Sequence, residues 1–122
     1  MSHERLHKSD GTTLIDWIIQ TTAELPVDAV GLWQIIPEAR TEFGLEGDEL
    51  IDCVERTISA LLDCGAKPVR GGVGTDHDWI EQFQYGTHKD EIVEKIINEW
   101  FGWGLGNPTA GGLWFALPEL FG

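Results

Sequence analysis

The clearest hydrophobic pattern lies in the middle of the chain and predicts a helix from Asp48 to Cys64. Apolar residues recur there at intervals of three and four, which places them on one face of an α-helix. Acidic residues in the first turn suit the positive end of the helix dipole, and Gly65 supplies a stop. The predicted core face consists of Leu50, Ile51, Val54, Ile58, Leu61 and Leu62.

A first helix is predicted near the start of the chain. Thr13 and Asp16 have the spacing of a capping box, which marks a helix start. Pro26 marks the end of this helix. Its predicted apolar face is formed by Leu14, Ile15, Ile18 and Ile19, with Trp17 beside them.

The next segment, Val27 to Ile36, predicts a second, short helix. Gly31 weakens it, and Pro37 ends it because a proline disfavours the α conformation in the residue before it. We expect Pro37 to open a separate helical turn that stops at Gly44.

Three short strands are predicted in the second half of the chain, at Ala66–Arg70, Trp79–Tyr85 and Leu113–Leu117. Pro68 has no backbone N–H, so we expect the first of them at a sheet edge. The segment Trp79–Tyr85 alternates imperfectly, and a short helix remains its alternative.

Between the last two strands the sequence predicts a further helix. Thr87 and Asp90 have the capping spacing at its start, and a series of glycines after residue 101 ends it. Its predicted inner face is formed by Ile92, Val93, Ile96, Ile97 and Trp100.

These elements predict an α+β domain that is mainly helical, with a small antiparallel sheet of about three strands in the C-terminal half. A chain of 122 residues has the length of one domain. We expect one compact domain over residues 12–122, preceded by a flexible N-terminal arm over residues 1–11.

The charge of the chain is strongly negative, with 8 Lys and Arg against 21 Asp and Glu and a net charge of −13. This charge repels phosphate groups, so we expect neither a nucleic-acid partner nor an anionic membrane. It suits a basic protein partner, a cation or simple solubility. The polar start and the absence of a long apolar run predict a cytoplasmic protein.

The two cysteines, Cys53 and Cys64, fall within one predicted helix. Eleven residues at about 1.5 Å each separate them by roughly 16 Å. A disulfide needs Cα atoms within about 7 Å, so both are expected to be free thiols. Free thiols fit a reducing cytoplasm.

Acidic residues are concentrated from Glu42 to Asp63, a segment that contains seven acids and a single base, Arg56. A solvated helix face normally mixes the two signs of charge, because oppositely charged neighbours stabilise the helix. Two interpretations remain open, a partner-binding face and a solvated face. The candidate partner-binding residues are Asp48, Asp52, Glu55, Asp63, Asp76 and Asp78.

Candidate residues for catalysis and metal binding are fewer than those for partner binding. Asp76, His77 and Asp78 are compact, but a single loop offers too few converging ligands, so we expect no metal and no cofactor. Of the two thiols, Cys64 lies at a helix C-terminus, where the dipole disfavours the thiolate. We predict no catalytic residue and expect a protein that is not an enzyme.

Aromatic residues are dense in the last quarter of the chain, at Trp100, Phe101, Trp103, Trp114 and Phe115. We expect most of them in the core. An exposed part would mark a protein contact. A scaffolding domain that self-associates through this region, as a homodimer, is therefore the alternative function.

A helix that ends in LLDCGAKPV and runs into a strand, and an Ile-rich helix that ends in INEW before a GGLWFALPE strand, resemble small bacterial immunity proteins. These include the immunity proteins of contact-dependent inhibition systems. The resemblance covers Leu45 to Glu119. It implies a cytoplasmic protein that binds a cognate toxin domain, often a basic nuclease, and occludes its active site.

The order of helix, turn and β-hairpin from Val27 to Tyr85 is also similar to a winged helix. In that arrangement the recognition helix would be Asp48–Cys64. This helix is acidic where contacts with phosphates require Lys or Arg, which excludes DNA binding and leaves a protein–protein module.

Overall fold

The computed structural model of the protein describes residues 11–71, 79–107 and 112–120. Within these residues the chain forms four α-helices and a four-stranded antiparallel sheet, which confirms the predicted α+β class. The helices are α1 (Leu14–Thr22), α2 (Leu32–Glu42), α3 (Gly47–Asp63) and α4 (Lys89–Gly102). The strands are β1 (Val30–Gly31), β2 (Lys67–Gly71), β3 (Trp79–Glu81) and β4 (Trp114–Ala116), with short 3-10 helices at Phe83–Tyr85 and Pro118–Leu120.

The central helix α3 agrees with its sequence pattern almost residue for residue. Four of the six predicted core residues are buried, and Ile51 and Leu62 are partly buried. Thr57 also lies on the buried face, where its hydroxyl donates to the carbonyl of Cys53 at 2.8 Å. This bond satisfies the polar group that burial would otherwise leave unpaired. The fully buried residues of the predicted set are Leu50, Val54, Ile58 and Leu61.

The predicted helix starts had different outcomes. The hydroxyl of Thr13 accepts a hydrogen bond from the backbone N–H of Asp16 at 3.2 Å, which confirms the cap of α1. The predicted pair of Thr87 and Asp90 is wrong. Helix α4 begins at residue 89, and Glu91 accepts from the backbone N–H of Thr87 at 3.2 Å.

The buried face of α1 is rotated from the predicted one. Ile15 and Ile19 are 51% and 58% exposed, so their predicted core positions are wrong. Trp17 is buried instead, and its ring packs against Phe43 with centroids 5.4 Å apart. The indole has far more apolar area to bury than an isoleucine, and its burial orients the helix.

Strand β1 lies where the sequence pattern predicted the start of a helix. Val30 pairs with Phe115 and Gly31 with Trp114 at one edge of the sheet. A Cβ atom on Gly31 would lie 2.6 Å from the Cδ1 atom of Trp33 and 3.0 Å from Trp114. The glycine is therefore required by the close approach of two indoles, a constraint that no local pattern carries.

Helix α2 passes through Pro37, so the predicted break at this residue is wrong. The proline removes one backbone donor, a local cost of about 3 kcal/mol in a helix interior. Ile35, Ile36 and Ala39 lie around it and are almost completely buried. Their burial against α3 offsets the local cost.

The strands follow the order β1-β4-β2-β3, so β2 is an interior strand and its predicted edge position is wrong. Pro68 pairs in register with Phe115, and its carbonyl accepts from the backbone N–H of Gln82 at 2.8 Å. The N–H and C=O of a strand residue point to the same side. The backbone N–H that Pro68 lacks would therefore point toward Gln82, just beyond the end of β3, where the pairing of β2 with β3 stops.

Both interpretations of residues 79–85 are correct in part. The first three residues form β3, which pairs antiparallel with β2. Phe83–Tyr85 then forms a 3-10 helix that leads to α4. The short strand leaves Tyr85 buried and Phe83 72% exposed.

The main core lies between the helices and one face of the sheet. Phe115 of β4 is completely buried in it, together with residues from all four helices. A smaller cluster of Ala29, Val69 and Ala116 packs with Trp79 and Trp114. The main core therefore lies on the Phe115 side of the sheet, and α3 and α4, which pack side by side, contribute to it.

Candidate functional site

A groove of about 650 Å³ runs between α3 and α4. Its walls are the outward sides of the two helices, so their backbones shape it and their side chains decide its chemistry. The end of α3 lies beside the start of α4, where Lys89 Nζ and Asp63 Oδ1 are 3.1 Å apart.

The floor of the groove is apolar. Ala60 of α3 faces Val93, Ile97 and Phe101 of α4 across it. Ile97 is buried, Val93 is partly buried, and Phe101 is 50% exposed at the end of the helix. Spacings of four residues put the three α4 side chains in one line, so the floor is a continuous stripe.

The rims of the groove are acidic. Glu55 and Asp63 line it from α3, and Asp90 and Glu94 line it from α4. Arg56 is the one base among the described residues that line it. An apolar floor between negative rims attracts cations and accepts apolar side chains at the same place.

Ion pairs neutralise these acids only in part. Asp63 pairs with Lys89, whereas Arg56 Nη1 lies 3.9 Å from Asp52 Oδ2, a carboxylate that does not line the groove. All four side chains are at least 42% exposed, and such surface pairs contribute about 0–1 kcal/mol. In the part of the chain that the structure describes, no ion pair includes Glu55 or Glu94.

The structure separates the predicted partner-binding residues into three groups. Glu55 and Asp63 line the groove. Asp48 and Asp52 are exposed on α3 but do not line it. Asp76 and Asp78 lie outside the described residues.

The wall formed by α4 was not among the predicted site residues. The hydrophobic pattern predicted Val93 and Ile97 on the core face of this helix, and it indicated no role in binding for Asp90 and Glu94. The available signal was a second series at intervals of three and four, which runs from Asp90 to Phe101 beside the core series.

A polar cluster fixes α4 to the sheet below the groove. Tyr85 donates its hydroxyl to Glu99 Oε1 at 2.8 Å, and Arg70 Nη2 lies 3.5 Å from the same oxygen. Burial, and then the bond to Glu99, raise the pKa of Tyr85 above its usual value. The cluster joins β2, the 3-10 helix and α4, so it positions the α4 wall.

A second, smaller pocket of about 290 Å³ lies between α1 and α2. Glu24 and Glu38 line it, and Glu38 already accepts the indole N–H of Trp17. It therefore offers less space and fewer available carboxylates than the groove.

The aromatic residues of the C-terminal region divide between core and surface. Trp100 and Phe115 are buried, as expected. Phe101 and Trp103 are each 50% exposed and lie at the end of α4, and Phe101 lines the groove. Exposed aromatic side chains of this size are enriched at protein contacts.

The two cysteines are unpaired, as predicted, and their surroundings differ. Burial raises the pKa of the Cys53 thiol to about 11. A thiol with this pKa is protonated at neutral pH and is a poor nucleophile. Cys64 is exposed at the end of α3.

We expect one of the two thiols to react rapidly with a disulfide reagent at pH 8. Cys64 reacts in the native protein, and Cys53 reacts only after unfolding, because it is buried and protonated. Absorbance of the released thiolate counts the reacting groups, and a Cys64→Ser variant is the control. Rapid reaction of two thiols in the native wild type would contradict the burial of Cys53.

Metal binding needs a cluster of suitable ligands. Residues 11–71, 79–107 and 112–120 contain no group of three His, Cys, Asp or Glu side chains placed to hold an ion. The sequence Asp76-His77-Asp78 lies outside them. Within the same ranges, no helix combines the length and apolar character that crossing a bilayer requires.

Comparisons of the chain with protein-family models, with curated proteins and with solved structures find no match. The resemblance to immunity proteins therefore stays a prediction.

Proposed function

We propose that this protein is an acidic binding module that captures a basic protein at the face formed by α3 and α4. The observation that supports the proposal is the groove with four carboxylate side chains and one guanidinium around an apolar floor. The net charge of −13 draws a basic partner over a long distance, and the floor holds it after contact.

The partner that fits best is a toxin domain of the nuclease type, and the protein is then a cytoplasmic immunity protein. A nuclease binds phosphates through a basic surface around its active site. An acidic module carries the same sign of charge as the nucleic-acid substrate of the nuclease. It can therefore bind the basic surface of the nuclease and occlude the active site. The proposal that this module is an inhibitor rests on the resemblance in the sequence together with this charge.

The decisive experiment uses the double variant Asp52→Lys/Glu55→Lys. The wild-type protein is immobilised, the basic partner is captured from the source cells, and association rates are measured at low and high salt. We expect the variant to associate at least about tenfold more slowly at low salt, because charge reversal removes the steering field. High salt should reduce the difference.

The matched control is Asp16→Lys/Glu24→Lys, which changes the net charge equally at exposed positions on α1 and directly after it. It should slow association much less, because the charge stays in place on α3. Equal slowing by both variants would mean that the association rate depends on the net charge of the protein and not on the position of the charges on α3. Rates that depend on neither variant nor salt would contradict the proposal and leave the acidic face as a solvated surface.

The inhibitory role has its own test. Expression of the captured partner alone should arrest growth, and co-expression with the wild-type protein should restore it. Co-expression with Asp52→Lys/Glu55→Lys should restore growth less. A captured partner that has no effect on growth would refute the immunity function and leave the binding function intact.

A second candidate function is self-association through the C-terminal aromatic residues. The observation in its favour is the 50% exposure of both Phe101 and Trp103. The net charge opposes it, because two copies that each carry −13 repel one another. If light scattering shows a dimer for the wild type and a monomer for the Trp103→Ser variant, this candidate would be favoured.

A further inference from the structure

The groove between α3 and α4 has a shape and chemistry that identify the part of the partner that enters it. We propose that it binds a basic amphipathic α-helix, whose apolar side lies on the floor and whose lysines or arginines reach the two rims. This inference rests on the proposed function, since it specifies which element of a basic partner is bound.

The length of the groove fits a helix of a few turns. Its lining on α4 extends from Asp90 to Phe101, which is about 16 Å at 1.5 Å per residue. A helix with apolar anchors at i, i+3 or i+4 and i+7 needs about 10 Å of floor for them. The stripe of Val93, Ile97 and Phe101 spans that distance with a side chain in every turn.

The backbone of the walls selects a helix over a strand. Both walls are helices, α3 and α4, whose N–H and C=O groups are bonded within each helix except at the ends. An extended segment in the groove would find no backbone partners there. A helix brings its own hydrogen bonds and needs only side-chain contacts, so it fits these walls at lower cost.

The charges of the rims select the polar side of the bound helix. Glu55 and Asp63 stand on one rim and Asp90 and Glu94 on the other, so cationic side chains on both flanks of the helix find carboxylates. Lys and Arg stems also cover apolar surface on the way to the rim. A second copy of this chain is a poor occupant, since it brings a further −13.

Phe101 is the expected anchor for the bound helix. It is 50% exposed, although it continues the line of the partly buried Val93 and the buried Ile97. A partner that covers it removes apolar surface from water at the end of the groove. The contribution of Phe101 therefore distinguishes docking of a helix on the floor from attraction by the rims alone.

The test uses a synthetic peptide about four turns long, made of Lys, Leu and Ala, with its leucines on one helical face. A scrambled peptide of identical composition, whose leucines share no face, is its control. Affinities are measured by calorimetry, and amide chemical shifts map the binding site. We expect the amphipathic peptide to bind at least about tenfold more tightly, with shifts centred on Val93, Ile97 and Phe101.

Variants of the protein distinguish the proposed capture of a basic protein from the proposed binding of an amphipathic helix in the groove. Phe101→Ala should weaken the amphipathic peptide about tenfold and leave the scrambled peptide unchanged. Phe83→Ala is the matched control, because Phe83 is 72% exposed and does not line the groove. Asp52→Lys/Glu55→Lys should weaken both peptides.

Three results with the peptides, and one with the protein alone, would overturn the proposal that a helix binds in the groove. The results with the peptides are equal affinity of the two peptides, an amphipathic peptide that is indifferent to Phe101→Ala, and no binding of either peptide. In the first two cases the proposed function survives if Asp52→Lys/Glu55→Lys still weakens binding. Self-association of the protein that Phe101→Ala abolishes would show that a second copy occupies the groove, which would also refute the inference.

Discussion

Replacement of Phe115 by alanine should lower the free energy of unfolding by about 3–5 kcal/mol. Phe115 is completely buried at the centre of β4, where it pairs with Val30 on one side and Pro68 on the other. Its ring lies in the main core with residues of all four helices, so its removal leaves a cavity that several elements share. Urea unfolding, followed by circular dichroism, measures the change.

The control is Phe83→Ala, which makes the same chemical change at a side chain that is 72% exposed. We expect it to change stability by no more than about 0.5 kcal/mol, as most surface substitutions do. Similar losses for the two variants would contradict the packing of the helices on the Phe115 face of the sheet.

Leu61→Ala should cost about 2–5 kcal/mol, the range for leucines in well-packed cores. Leu61 is completely buried on the inner face of α3. It lies opposite the acidic positions, so the substitution tests the core while the charges of the groove stay unchanged. Thermal or urea unfolding of the purified variant gives the value.

Leu62→Ala makes the same substitution one position further along α3, where the side chain is only partly buried. We expect a smaller loss of unfolding free energy there, because Leu62 buries less apolar area than Leu61 when the protein folds. If Leu62→Ala cost as much as Leu61→Ala, the orientation of α3 about its axis would be wrong.

The sequence predicted the long helix α3 and the three strands β2, β3 and β4, but it missed the shortest strand, β1, for a physical reason. Helix α3 has 17 residues, so its apolar period repeats often enough to define a face. Strand β1 has two residues and exists because β4 pairs with it. A two-residue segment has no periodicity, and its partner lies more than 80 positions away.

Local rules failed where burial outweighed them. Pro37 should end a helix and Pro68 should avoid an interior strand, yet both lie inside their elements. At Pro37 the surrounding side chains are buried deeply enough to offset one lost hydrogen bond. At Pro68 the missing donor faces the end of the ladder. Neither context can be inferred from neighbours in the sequence.

Half of the candidate site was visible in the sequence. The acids of α3 stood out because the segment from Glu42 to Asp63 holds seven acids and one base, and five of these acids lie within the helix. The wall from α4 did not, because a groove is a relation between two helices and each contributes a face beside its core face. Ile97 serves both, since it is buried in the core and also lines the groove.

The rim carboxylates have a consequence for how this protein can change over generations. Glu55 and Glu94 make no ion pair among the described residues, and Asp63 makes an exposed one. Substitutions at such positions alter the local potential while they change folding stability by about 0.5 kcal/mol or less. A recognition surface at the groove, as proposed above, could therefore diverge rapidly to follow a changing partner, while the buried side of the same helices stays fixed by packing.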